Sequence, residues 1–77
     1  MTKLPRDLTG ERVVRAPERR GFYRDHQVGS PVTLRPQDDL TRKVVVPLHG
    51  STRIGPKLLS RILREAGVSP EQLSGSL

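Results

Sequence analysis

Between Lys43 and Gly67 the apolar positions change period once, and the rest of the chain is arranged around that change. Val44, Val46 and Leu48 alternate with Lys43, Val45 and Pro47, the period of a strand with one buried face. Pro47 cannot donate to a ladder, so this strand is expected at a sheet edge or to end there. A polar turn follows. Leu58, Leu59, Ile62, Leu63 and Ala66 then recur at helical spacing and predict one apolar stripe that reads as core. Gly55-Pro56 opens the helix, because a proline at the first helical position gives up an N–H that had no partner there. Gly67 closes it as the left-handed residue just past the end. Lys57, Arg61 and Arg64 fall off the stripe and are expected to face water.

Upstream the periods are weaker. Met1 to Leu8 reads as an extended lead-in, since Pro5 disfavours helical backbone at Leu4. Thr9 is a fair N-cap, and Glu11 sits in a first turn, where a carboxylate is favoured. From Gly10 to Arg20 the pattern is helical, with Val13, Val14 and Ala16 apolar and Arg12, Arg15, Glu18 and Arg19 polar. Pro17 interrupts it. Inside a helix a proline costs about 3 kcal/mol or more, so the helix is expected to kink there or to be shorter than its pattern. Gly21 ends it. Phe22 to Gln27 predicts a strand, and Val28-Gly29-Ser30-Pro31 a tight turn. Val32 to Arg35 predicts a second strand, with Val32 and Leu34 inward and Thr33 and Arg35 outward. Pro31 can start it and Pro36 can stop it. Gln37 to Thr41 reads as a turn with Asp38-Asp39 at its tip. Ser69-Pro70-Glu71-Gln72 has the form of a capping box opening a short helix that returns Leu73 to the core. Ser74 to Leu77 is expected to fray.

The predicted order is helix–three antiparallel strands–helix with a short C-terminal helix. Helices on one face of a small antiparallel sheet make an α+β two-layer sandwich. The order resembles the double-stranded RNA-binding fold.

Composition narrows the function. A chain of 77 residues predicts a single domain over 1–77, with an ordered core of about 8–73. Such a domain buries only about three-fifths of its unfolded surface. Its apolar fraction of 32% leaves one thin core. There is no cysteine, hence no disulfide framework and no thiolate chemistry, in keeping with a reducing compartment. The first ten residues lack the apolar centre of a signal peptide, and no stretch approaches the roughly 20 apolar residues of a membrane span. The net charge is +6 and the isoelectric point about 11.1. Twelve of the fourteen Lys and Arg lie between Arg12 and Arg64, so the charge belongs to the folded part. A small basic domain favours phosphate-rich partners. The only aromatics are Phe22 and Tyr23, too few for a base-stacking platform, which favours readout of backbone and shape.

Several short segments then carry a resemblance by their joint order and spacing. They are Arg20-Gly21-Phe22, Gly29-Ser30, Val44-Val45-Val46-Pro47-Leu48-His49-Gly50, Gly55-Pro56, and Leu59 through Ser69. Over roughly Leu8 to Leu73 the chain resembles the HicA family of toxins, mRNA interferases of toxin–antitoxin pairs. The resemblance implies a double-stranded RNA-binding-like fold, an endoribonuclease that uses no metal or other cofactor, a cytoplasmic location and a HicB-type antitoxin as partner. It also exposes a departure. The family's hairpin reads Gly-Ser-His, with the histidine taken as catalytic, whereas this chain has Gly29-Ser30-Pro31. RNA cleavage needs one group to take the 2′-hydroxyl proton and one to protonate the leaving oxygen, roles that suit histidine. Pro31 can do neither, so no family catalytic residue carries over. Pro17 and Pro36 also stand where the family commonly has Leu and His. These three prolines are expected to attenuate the toxin, and reverting all three to raise both stability and toxicity.

For RNA contact the candidates are Gly29, Ser30, Arg35, Lys43 and Arg24. Arg35 and Lys43 point outward from neighbouring strands by alternation, and Gly29 lets backbone approach a phosphate closely. His49, after the third strand, is the candidate substitute for the missing acid–base group; His26, before Gly29, is the other histidine. Surface-loop histidines without function are the plainer reading of both. Asp38-Asp39 reads as a turn and not a metal pair, with no histidine or third carboxylate nearby. Ser30 has no base placed to make it a nucleophile. Three classes stay open: a ribonuclease toxin, a catalytically silent relative that binds RNA or antitoxin, and a membrane-surface element built on the Gly55 to Gly67 helix. The last is the poorest, because the core needs the stripe and no interfacial aromatic accompanies it.

Overall fold

In the computed structural model, which describes residues 4–5, 7–25, 30–48, 50 and 53–77, the chain runs in order through nine described elements. They are β1 (Leu8–Thr9), α1 (Gly10–Val13), α2 (Arg15–Arg19), β2 (Phe22–Asp25), β3 (Val32–Pro36), β4 (Val44–Val46), β5 (Arg53–Ile54), α3 (Pro56–Ala66) and α4 (Pro70–Gly75). Strands β2, β3 and β4 form an antiparallel sheet in that order. The fold is α+β, as the order of elements predicts.

Register explains the two faces of the sheet. Phe22 pairs with Pro36, Leu34 with both Arg24 and Val44, and Val32 with Val46. All of these except Arg24 are buried. Tyr23 pairs with Arg35, and Thr33 with both Asp25 and Val45, and these are half-buried or exposed. The alternation read from the sequence therefore holds in β3 and β4. β4 lies at the sheet edge and stops before Pro47. Pro36 is the last residue of β3. In the first predicted strand, Asp25 is the final described residue; His26, Gln27, Val28 and Gly29 lie outside the described residues.

Helix α3 supplies the main covering layer. Leu59, Ile62, Leu63 and Ala66 are buried against the strands, and Leu58 is half-buried at their margin. Each fully buried aliphatic side chain contributes about 1.5–3 kcal/mol of transfer free energy. Gly55 caps the helix, Pro56 opens it, and Gly67 ends it with φ 69°. The Val68 N–H donates to the Leu63 carbonyl at 2.9 Å, which ties off the last turn. In α4 the Ser69 hydroxyl accepts from the Gln72 N–H, and the Gln72 side chain accepts from the Ser69 N–H, so the capping box is complete. Leu73 is fully buried. Ser74 and Gly75 still belong to α4, against the expected fraying.

The helical pattern from Gly10 to Arg20 is broken at Val14. The cause is Pro17. Its ring crowds the carbonyl four residues back, that of Val13, and offers that carbonyl no N–H. The break makes Pro17 the third residue of α2, where no intrahelical acceptor is available to any N–H. Pro17 itself is almost wholly buried. Thr9 takes the N-cap position of α1, but its hydroxyl makes no capping bond. What fixes the start of α1 is close packing: a Cβ built on Gly10 would stand on the Pro47 carbonyl oxygen.

The second small sheet is not foreseen by the sequence pattern. β1 and β5 pair antiparallel, Leu8 with Ile54 and Thr9 with Arg53. Two residues per strand are too few to show a period. Leu8 and Ile54 are both buried, so the lead-in and the turn before α3 close one end of the core.

Candidate nucleic-acid interface

The sheet carries its candidate residues on two faces. Arg35 and Lys43 belong to the face away from the helices. Lys43 immediately precedes β4, whose ladder with β3 runs from Val32 and Val46 to Leu34 and Val44. Lys43 is exposed and has no side-chain partner among the described residues. Arg35 is anchored: its Nε donates to Asp25 Oδ2 at 2.7 Å, and its Nη1 to the Leu40 carbonyl at 3.0 Å. Asp25 is the diagonal neighbour of Arg35 across the β2–β3 pair. The bond to it fixes the guanidinium plane while leaving Nη2 uncommitted. Tyr23 stands beside Arg35, and Val45, 39% exposed, is the apolar residue of this face.

Arg24 lies on the other face. It stands opposite Leu34, under the first helices. Its Nη1 donates to Glu11 Oε1 at 3.1 Å, its Nη2 to Glu11 Oε2 at 3.4 Å, and its Nε to Glu18 Oε2 at 3.0 Å. The bond to Glu11 and then that to Glu18 raise its pKa further above the ordinary arginine value, against a small opposing effect of burial. One guanidinium therefore ties α1 and α2 to β2 on both sides of the break at Val14. The structure places Arg24 and Arg35 on opposite faces of the sheet, and the described ladder pairs neither of them with Lys43.

At the end of the hairpin, Ser30 and Pro31 are exposed. The Ser30 hydroxyl accepts from the Leu48 N–H at 2.9 Å, as the β3–β4 register continued by two residues would place it. Ser30 thus ties the hairpin to the segment leaving β4. Gly29, His26 and His49 lie outside the described residues.

Asp38 and Asp39 belong to the turn after β3. The Asp39 carboxylate accepts from the Thr41 hydroxyl at 2.6 Å and from the Thr41 N–H at 3.1 Å. These bonds, the hydroxyl's first, lower the Asp39 pKa below the usual carboxylate range. The carboxylate is thus used inside its own turn. Arg42, not singled out from the sequence, closes this segment onto α3. Its Nη2 donates to the Glu65 carbonyl at 2.9 Å, and its guanidinium stands 5.9 Å from the Phe22 ring centre. A cation is favoured at a helix C-terminus. Asp25 as the anchor of Arg35 is also absent from the sequence reading, because it depends on the register of a hairpin whose loop length composition does not fix. Among the described residues no group of three His, Asp or Glu is placed to hold a metal ion, and no helix is long and apolar enough to cross a membrane.

Comparison with known proteins agrees with the arrangement of elements. Residues 10–68 match the model of a family described as HicA toxin of bacterial toxin-antitoxin. That match runs from the first residue of α1 to the residue after Gly67, and so takes in the sheet, the hairpin and α3. No curated protein matches the chain. With well over half of its length matched, and with the α+β order that the family resemblance implies, this chain belongs to the HicA family of toxin–antitoxin toxins.

Proposed function

We propose that the chain is an RNA-binding endoribonuclease that cleaves mRNA and is neutralised by a HicB-type antitoxin. The observation that carries the reading is Arg35 on the open face, its guanidinium held by Asp25 and the Leu40 carbonyl, with Lys43 exposed just before β4. Arg35 Nη2 and the Lys43 ammonium would hold a phosphate, while Asp25 keeps the Arg35 plane fixed. Gly29 and Ser30 would meet the backbone at the hairpin end. Cleavage proceeds by attack of the 2′ oxygen on phosphorus with departure of the 5′ oxygen. His49, next in sequence after Leu48, is the candidate to take the 2′ proton, and water protonates the leaving oxygen. Arg24, already held by Glu11 and Glu18, would act on RNA only by supporting the sheet.

Pro31 favours a second reading, a silent relative that binds RNA or antitoxin without cutting, because the hairpin position that would hold the family histidine has no titratable group. One experiment separates the two. Purified chain, Pro31→His and His49→Ala are each incubated with end-labelled mRNA in chelator. The proposed activity predicts cutting by the chain as it stands and its loss in His49→Ala. Cutting by Pro31→His alone would establish the silent reading. No cutting by any of the three folded proteins would sink the ribonuclease reading.

A further inference from the structure

The charged side chains of the first helices differ in whether they have a partner. Arg12, Arg15 and Arg19 recur at helical spacing, and Arg20 follows at the C-cap of α2. All four are exposed, and none has a side-chain partner among the described residues. The carboxylates of the same helices, Glu11 and Glu18, are both bonded to Arg24 of β2. The helices' negative charge is therefore neutralised on the sheet side, and the arginine face is left uncompensated. The face ends in a cleft of about 270 Å³ between α2 and α4, lined by Ala16, Arg19, Arg20, Gln72, Gly75 and Ser76.

We infer that this arginine face is a second binding surface for the phosphate backbone of RNA, separate from the hairpin and the open face of the sheet. Guanidiniums suit phosphate oxygens bidentately, and Arg19 and Arg20 both line the cleft. Among the described residues the exposed large hydrophobics are Leu40, Val45 and Leu77, so none lies on α1 or α2, where a protein interface would need an apolar centre. Unpartnered guanidiniums without an apolar centre thus fit a polyanion in preference to a folded partner. The inference rests on RNA as the ligand but not on cleavage.

The test uses the full chain and a 2′-O-methylated RNA hairpin, which cannot be cut by 2′ attack. Affinity is measured by fluorescence anisotropy across a salt series. The triple variant Arg12→Gln/Arg15→Gln/Arg19→Gln should lose about tenfold or more in affinity and about 2 in the slope of log K against log salt. The matching triple Arg→Lys variant should keep the slope, which separates lost charge from lost structure. Unchanged affinity and slope in the Gln variant, with losses instead in Arg35→Gln/Lys43→Gln, would overturn the inference and leave RNA binding to the sheet. The same unchanged RNA affinity, with loss of binding to polyglutamate, would assign the face to an acidic protein and equally overturn it. If the unaltered chain binds no RNA at low salt, both the inference and the RNA reading fall. RNA binding through the arginine face without cleavage of unmodified RNA would uphold the inference and remove only the ribonuclease.

Discussion

Gly55 caps helix α3 and Gly10 is the first residue of helix α1, and the two glycines have different neighbours. A methyl group added at Gly55 meets open space, while one added at Gly10 would stand on the Pro47 carbonyl oxygen. The contrast runs the length of both helices. α3 has a proline at its first position, an unbroken stripe of Leu59, Ile62, Leu63 and Ala66, and Gly67 in the left-handed conformation at its end. Each of these is a local instruction. The α1–α2 segment is broken at Val14 and is held by Gly10 against Pro47 and by Arg24 across the break. One helix is specified by its own residues and the other by what it rests on. Contacts made to the rest of the fold are lost together when one of them fails, whereas local signals fail singly.

The largest effect expected from this difference is at the two glycines. Gly10→Ala should destabilise the chain by about 3 kcal/mol or more, because backbone rather than a flexible side chain must move. Gly55→Ala should stay within about 0.5 kcal/mol, since a somewhat poorer N-cap is offset by a less flexible unfolded chain. Urea unfolding of both variants gives the comparison directly. Equal losses at the two positions would mean that α1 is not seated on Pro47.

That asymmetry also sets what the sequence reveals. The α3 boundaries, the β3 and β4 faces and the α4 capping box are legible because each depends on residues within a few positions of one another. The break at Val14 is legible only in part: Pro17 announces a disturbance, but its place follows from the carbonyl four residues earlier. The β1–β5 pair joins Leu8 to Ile54 across most of the chain and has no local signature. The candidate interface divides in the same way. Outward Arg35 and Lys43 follow from alternation, whereas the Asp25 anchor and the capture of Arg24 by Glu11 and Glu18 require the sheet register and the packed helices.

A smaller effect is expected at the ion pairs. Arg24→Gln removes bonds to both α1 and α2 from a side chain 27% exposed and should cost about 1 kcal/mol. Arg61→Gln removes one pair to Glu65 within α3, at 3.4 Å and well exposed, and should cost no more than about 0.3–0.5 kcal/mol. Amide exchange should sharpen the contrast. Arg24→Gln should lower protection at Val14 and Glu18, whose N–H groups bond across α1 and α2, without altering α3. Uniform loss of protection in both helices would show that Arg24 supports the whole fold and not the broken helix in particular.

The smallest effect is expected at the two prolines. A proline held inside a continuous helix would release about 3 kcal/mol on replacement by alanine. Pro17 is not held that way, because the break at Val14 has moved it into the first turn of α2, the same turn that Pro56 occupies in α3. Pro17→Ala restores an N–H that can bond the Val13 carbonyl, and it also removes buried ring carbons at about 0.8 kcal/mol each. The two changes oppose each other, so the net shift should remain within about 1 kcal/mol. Pro56→Ala, at an exposed position, should lose about 0.5 kcal/mol through the more flexible unfolded chain. A gain near 3 kcal/mol in Pro17→Ala alone, with α1 and α2 merging in amide-exchange protection, would mean that the break does not relieve the proline. The segment would then be a continuous helix under strain, and its likeness to α3 would be greater than its geometry implies.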